Sequence, residues 1–159
     1  MYAMASTSAP AVRRRFFDDL VRCETRLYNA VGERLRAEHG IVASQFEMLR
    51  YLRDHPGARV AEMASTFAAG IGAISKGVDR LTARGWATRE PNPADGRSSL
   101  IVLTDDGAAL VADAERTFDR VLADLVGPTL DEEEVAAGAS ALAALRRALE
   151  AARVGVPTG

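Results

Sequence analysis

The sequence is poor in the residues on which most catalytic and metal sites depend. A single cysteine, Cys23, excludes an internal disulfide and a cysteine-based zinc site, and His39 and His55 lack metal-ligand spacing. No Gly-rich phosphate loop and no Ser-His-Asp motif is evident. The chain therefore reads as a non-enzyme without metal or cofactor. Long apolar runs are missing too: the longest stretch free of charge, residues 63–75, has 13 residues, against the roughly 20 that span a bilayer. The run Arg13-Arg14-Arg15 follows the weakly apolar N-terminal residues instead of preceding them, opposite to a secretory signal. A cytoplasmic location with no membrane partner is the expectation. Lysine is almost absent, since nineteen of the twenty basic residues are Arg. Base composition explains that bias better than a demand for planar donors does.

What is present suits one domain. Hydrophobic residues make up 48% and charged residues 26% of 159, enough to bury a core. A net charge of −2 argues against indiscriminate coating of nucleic acid, yet the charge is segregated. Residues 58–104 carry six basic side chains against four acidic, and residues 105–159 five against eleven. An anionic partner is to be sought in the centre.

Apolar residues at three- and four-residue steps, Phe16, Leu20, Cys23, Leu27, Ala30 or Val31, and Leu35, predict one long amphipathic helix over residues 11–38. At 1.5 Å per residue it extends about 40 Å, more than a small domain needs, which implies a partner surface. Ser44-Gln45-Phe46-Glu47 has the form of a capping box opening a second helix, which Pro56-Gly57 stops. A short third helix spans residues 60–67. Ala68-Ala69-Gly70 turns the chain into a fourth helix, with Ile71, Ile74, Val78 and Leu81 inward and Gly85 as its left-handed cap. Two short helices and a tight turn are the parts of a helix-turn-helix. Residues 86–89 and 99–103 then read as strands around a polar tip with an Asp-Gly turn, a hairpin placed as a wing. Thr104 and Asp131, the latter with Glu134, are predicted to open two further helices. Val135, Ala139, Leu142, Leu145 and Leu149 stripe the last of these. The expected fold is mainly α with a small β-hairpin wing. Residues 11–43 and 105–152 are the dimerising helices, residues 44–104 the winged helix-turn-helix lobe, and residues 1–10 and 153–159 flexible tails.

Ala61-Glu62-Met63-Ala64, Ile74-Ser75-Lys76-Gly77-Val78-Asp79-Arg80-Leu81, Arg84-Gly85-Trp86-Ala87-Thr88-Arg89, Asp95-Gly96-Arg97-Ser98 and Val102-Leu103-Thr104-Asp105-Asp106-Gly107 follow one another in an order and spacing that resembles the multiple antibiotic resistance regulator (MarR) family. The resemblance implies a homodimeric winged helix-turn-helix transcription factor on a palindromic operator in double-stranded DNA. It further implies a repressor released by a small, often aromatic or phenolic, effector.

Residue by residue, Ser75 and Lys76 match the family's hydroxyl and basic positions on the recognition helix, where they can reach base edges or phosphates. Arg80 is divided between phosphate contact and pairing within Asp79-Arg80. Asp95-Gly96-Arg97 reproduces the family's wing motif, in which the Arg enters the minor groove and the Asp orients it. Arg84 and Arg89 are placed at the hairpin edge, where they can merely solubilise it. The sequence departs from the family at Gly70-Ile71-Gly72-Ala73, which offers few donors to base edges. Cys23 opens an alternative, a peroxide-responsive regulator, but it lies on the apolar stripe, and Tyr28 is five positions on where the sensors have Tyr at four. A ligand-independent dimeric DNA-binding protein is the other alternative. Tyr28, Phe46, Tyr51 and Trp86 could line a cavity, but no motif fixes them and the ligand residues stay unassigned.

Overall fold

The computed structural model describes residues 8–157. It has six helices and a two-stranded antiparallel sheet: α1 (Ala9–His39), α2 (Ala43–Asp54), α3 (Val60–Thr66), α4 (Ile71–Ala83), β1 (Ala87–Pro91), β2 (Ser99–Leu103), α5 (Asp105–Val126) and α6 (Glu132–Ala151). No described helix is long and apolar enough to cross a membrane.

One core joins the C-terminal half of α1 to α2, α3, α4, the base of the hairpin and α5. Leu35, Ile41, Phe46, Leu49, Leu52, Met63, Val78, Leu81, Ile101 and Val111 are fully buried in it. The hairpin pairs Ala87 with Leu103 and Pro91 with Ser99. Ala58 adds a bridge to Ile101, closed by Ile101 N–H donating to the Ala58 carbonyl at 2.9 Å and Gly57 N–H to the Ile101 carbonyl at 3.0 Å. The wing is thereby tied to the loop before α3. Between α2 and α5, Glu115 accepts from Arg53, and that hydrogen bond first, then the charges of Arg53 and Arg50, hold its carboxyl below the usual range. Arg50 lies over both Phe46 and Phe118, 5.4 and 5.0 Å from the ring centres.

Some local expectations need correction. Ser44 does not cap α2. The helix starts two residues earlier than a Ser44 cap would place it, after extended Val42, and Gln45 Oε1 accepts from Val42 N–H at 3.0 Å. The turn before α4 takes its left-handed residue from Ala68 (φ +47°), while Gly70 has a negative φ. Ile71, expected inward, is 61% exposed because the helix begins just beyond the edge of the core. Residues 9 and 10, expected in a tail, begin α1, with Pro10 in its first turn; residues 1–7 lie outside the described residues. At the other end Val154 N–H donates back to the Leu149 carbonyl at 2.9 Å, so residues 153–157 fold back on α6, and residues 158–159 lie outside the description. Arg153 (φ +53°) and Gly155 (φ +77°) make that turn.

The ends of the chain are where burial stops. No residue of α6 is buried, and Val135, Leu142, Leu145 and Leu149 are each about two-fifths exposed. On α1, Phe16, Phe17 and Val21 are also exposed, and only Val31 and Leu35 are buried. Cys23, expected on a buried stripe, is exposed in the single chain for the same reason: it lies on the half of α1 that extends past the core.

Candidate nucleic-acid interface

α4 is a helix because Ile74, Val78 and Leu81 recur on one face and all three are buried. Its opposite face is free by geometry: at 100° per residue, Gly72, Lys76 and Arg80 point away from the core, and all three are exposed. Gly85, with φ +74°, ends the helix, and Trp86 N–H caps the Leu81 carbonyl at 3.0 Å. The chain then enters β1 at once, so helix and wing are separated by three residues and share a rigid joint.

The joint is reinforced by Arg89. Its guanidinium donates to Asp79 Oδ1 at 2.8 Å and lies 3.4 Å from both the carbonyl and the hydroxyl of Ser75. A wing residue thus fixes one face of the helix, and Asp79 is occupied by Arg89. The pairing of Asp79 with Arg80 does not occur, which leaves Arg80 exposed and without an ion pair among the described residues. Arg89 was not legible as a functional position, because nothing local announces a contact made across fourteen residues. Arg84 lies over the Trp86 ring, 4.3 Å from its centre, and so packs beside the hairpin base.

The tip of the wing is held by its own side chains. Asn92 Oδ1 accepts from Ala94 N–H at 3.0 Å, Asn92 Nδ2 donates to Ser98 Oγ at 2.9 Å, and Asp95 Oδ1 accepts from the backbone N–H of Arg97 at 3.0 Å. Ser98 N–H closes the turn on the Asp95 carbonyl at 3.2 Å. Asp95 therefore orients the backbone that carries Arg97, not the guanidinium itself. Arg97 is exposed and makes no ion pair among the described residues. A charged planar donor stands at the end of a stiff hairpin.

Of the residues the sequence singles out, Lys76 and Arg80 share the outer face of α4, Ser75 lies half-buried on its flank beside Arg89, and Asp95 and Arg97 occupy the wing tip. Of the aromatic candidates, Phe46 is in the core, Tyr51 stacks on His55 at 4.2 Å, and Trp86 packs under Arg84. Tyr28 faces a recess of about 510 Å³ between α1, α2 and α4, with Ser44, Glu47, Met48, Phe67, Ala69 and Ile74, and Tyr51 also lines an open groove of about 980 Å³ beside α6. Burial, then the carboxylates of Glu47 and Glu24, push the Tyr28 phenol above its ordinary pKa, so it stays a neutral hydroxyl.

Comparison with known proteins gives these parts a common context. Residues 39–98 match the sequence profile of the MarR family. The multiple antibiotic resistance protein MarR of Salmonella typhimurium is 33% identical over 96 residues, 60% of this chain and 67% of that protein. A cysteine-to-serine variant of Escherichia coli MarR, crystallised with operator DNA, superposes with a TM-score of 0.72 at 27% identity, over 80% of this chain and 91% of that one. A MarR-family regulator from Streptomyces coelicolor, crystallised with DNA, has the same fold, with a TM-score of 0.77 at 21% identity over 87% and 88% of the two chains. With the same order of six helices and a two-stranded wing, and with that identity over two thirds of a curated relative, the chain belongs to the MarR family of winged helix-turn-helix, DNA-binding transcriptional regulators.

Proposed function

We propose that the chain is a homodimeric, sequence-specific repressor that holds two winged lobes on a palindromic operator and is released by a small aromatic effector. The observation that carries this reading is the combination of Arg97, without an ion pair among the described residues, on a side-chain-braced wing tip with the exposed Lys76 and Arg80 face of α4. Two elements of one lobe are then available for two grooves, helix in the major and wing in the minor. Residues 44–104 act as this lobe and residues 11–43 and 105–152 as the dimerising frame, in the cytoplasm where the operator is. A bound dimer represses by occupying promoter DNA.

Arg97→Ala is expected to weaken operator binding by about 1–3 kcal/mol with no change in melting temperature, because the turn is held by Asp95 and Asn92 and not by the guanidinium. Equal affinities in an anisotropy titration remove Arg97 from the site. Lys76→Ala is expected to lower the slope of log K against log salt by about one, as a phosphate contact does. An unchanged slope with altered base preference would move Lys76 to a base edge.

Release requires an effector that prefers the DNA-incompetent dimer, so operator must weaken effector binding by the same factor. The Tyr28 recess supports such a role, since it touches α4 through Ile74 and α2 through Glu47 and Met48. Glu47 is its only charged group, which favours a neutral phenol over an aromatic carboxylate. Cys23 is exposed in the single chain, on a stretch of α1 that the proposed dimer would cover, and it gives the variant that discriminates the thiol-sensor alternative. Cys23→Ser is expected to keep its response to a phenol and to remain, like the parent, indifferent to peroxide. Peroxide release of the parent but not of Cys23→Ser would transfer the regulation to the thiol.

A further inference from the structure

Within residues 44–104, all of which the structure describes, Ile71 is the one large apolar side chain left exposed. Apart from Leu130 and Val154, the other exposed large apolar residues among the described ones, Val12, Phe16, Phe17, Val135, Leu142 and Leu149 included, lie on the helices the proposed dimer would cover. Ile71 has no such cover in prospect. It lines none of the recesses described around the core, and it opens α4 one turn before Ser75, where the strip of Ile74 and Val78 runs out past the edge of the core and leaves the side chain in the open. Around it the helix start is bare. Gly70 and Gly72 carry no side chain, and a Cβ at either would meet nothing within 4 Å; Ala73 adds only an exposed methyl. The first turn of a recognition helix is the part that enters the major groove most deeply. Here that turn has no side-chain donor or acceptor, and its reach is isoleucyl.

The major-groove edge of unmodified DNA offers one apolar feature, the C5-methyl group of thymine. We infer that Ile71 is a specificity-determining residue that packs on a thymine C5-methyl in each operator half-site, with Gly70 and Gly72 allowing the helix start to approach the base edges. This inference rests on the DNA-binding reading above and adds to it a base preference that hydrogen-bond donors do not supply. Ser75, one turn on, is drawn toward Arg89 at 3.4 Å and leaves the apolar contact to dominate the first turn. Apolar contact releases no counterions, so it shows in base preference and not in salt dependence.

The test uses the full chain and the tightest-binding duplex it selects from a random library. Each thymine of that duplex is replaced in turn by deoxyuridine, which pairs identically and lacks only the methyl. One thymine per half-site is expected to matter: its replacement weakens the parent about fourfold, and replacement in both half-sites about fifteenfold. Ile71→Ala is expected to bind the unsubstituted duplex more weakly, to lose the distinction between thymine and deoxyuridine at that position, and to keep the parent's salt slope and melting temperature. At the same position 5-methylcytosine is expected to bind better than cytosine by a similar factor for the parent alone, which separates the methyl from the rest of the thymine. The inference is overturned if no thymine substitution matters, or if Ile71→Ala keeps the same deoxyuridine penalty as the parent. Selection of no duplex at all by the parent protein would overturn the DNA-binding reading itself, and the inference with it. Loss of binding by Arg97→Ala alongside an unchanged deoxyuridine scan for Ile71→Ala would sink the inference and leave that reading standing.

Discussion

A chain that ends at Leu130 is expected to keep its core, to run as a monomer or aggregate, and to lose operator affinity by a hundredfold or more. The core survives because α6 contributes no buried residue to it. The helix is well formed in itself: Asp131 Oδ1 accepts from Glu134 N–H at 2.9 Å, and Glu134 Oε2 from Asp131 N–H at 3.0 Å. Its stripe of Val135, Leu142, Leu145 and Leu149 nevertheless stays about two-fifths exposed, above an open groove of about 980 Å³ that it shares with Leu20, Tyr51 and Ala68. A capped helix with an unburied apolar face suits a second surface, and in the proposed homodimer the exposed Phe16, Phe17 and Val21 of α1 would meet it from a second copy. Each half-site contact alone is weak. Held about 34 Å apart on one duplex face, the two become an intramolecular pair whose effective concentration multiplies affinity. Sedimentation and anisotropy on the truncated and full chains read both effects. A full-length protein that sediments as a well-behaved monomer at micromolar concentration, or a truncated one with unchanged affinity, would end the dimer proposal.

The elements legible in the sequence were those whose cause is local. Thr104 accepts from Gly107 N–H at 3.1 Å and opens α5, as a Thr before a helical period should. The hairpin and the Asp95-Gly96-Arg97-Ser98 turn follow from alternation and turn chemistry, although the first strand runs over Ala87–Pro91 and not over residues 86–89, because pairing with Ser99 and Leu100 carries it on into Glu90 and Pro91. Where the chain answered to distant neighbours, local rules slipped. Ser44-Gln45-Phe46-Glu47 fits a capping box, but burial of Ile41 and Ala43 starts the helix earlier and hands the cap to Gln45. Ile71 keeps step with Ile74, Val78 and Leu81, yet the core ends before it, and periodicity carries no information about where a core ends. Arg89 was readable only as a solubilising edge residue, because its partners Ser75 and Asp79 are brought to it by the joint at Gly85. The same holds for Thr117, fully buried, which donates to Glu38 at 2.8 Å and meets His39 Nε2 at 2.9 Å across about eighty residues. The site was partly visible by resemblance, while the braces that make it rigid were not.

Gly107→Ala is expected to destabilise the fold by about 3 kcal/mol, through the tightest clash a Cβ would meet at any of the described glycines. A Cβ at Gly107 would come within 2.0 Å of the Trp86 carbonyl oxygen, 2.9 Å of its carbon and 3.1 Å of its Cα. All three are backbone atoms, so no rotamer change relieves the clash. Relief requires moving the start of α5 away from the residues that lead into β1, and those two segments are bonded at close range. Thr104 N–H donates to the Trp86 carbonyl at 3.1 Å, and Thr104 Oγ1 donates to the Gly85 carbonyl at 2.6 Å while accepting from Gly107 N–H. A shift of about an ångström costs these bonds together, and it also re-aims β1 relative to α4. Gly77→Ala is the control. There a Cβ would meet only the thioether end of Met48, Sδ at 2.7 Å and Cε at 2.9 Å, and that flexible tip can swing aside. Replacing glycine inside a helix also gains about 0.5–1 kcal/mol, so the Gly77 variant should fall within about 1 kcal/mol of the parent. Urea midpoints with unchanged m-values measure both. A Gly107→Ala protein within about 0.5 kcal/mol of the parent would mean that α5 and the wing can slide past one another, and a wing that slides could not hold Arg97 at a fixed place over the duplex.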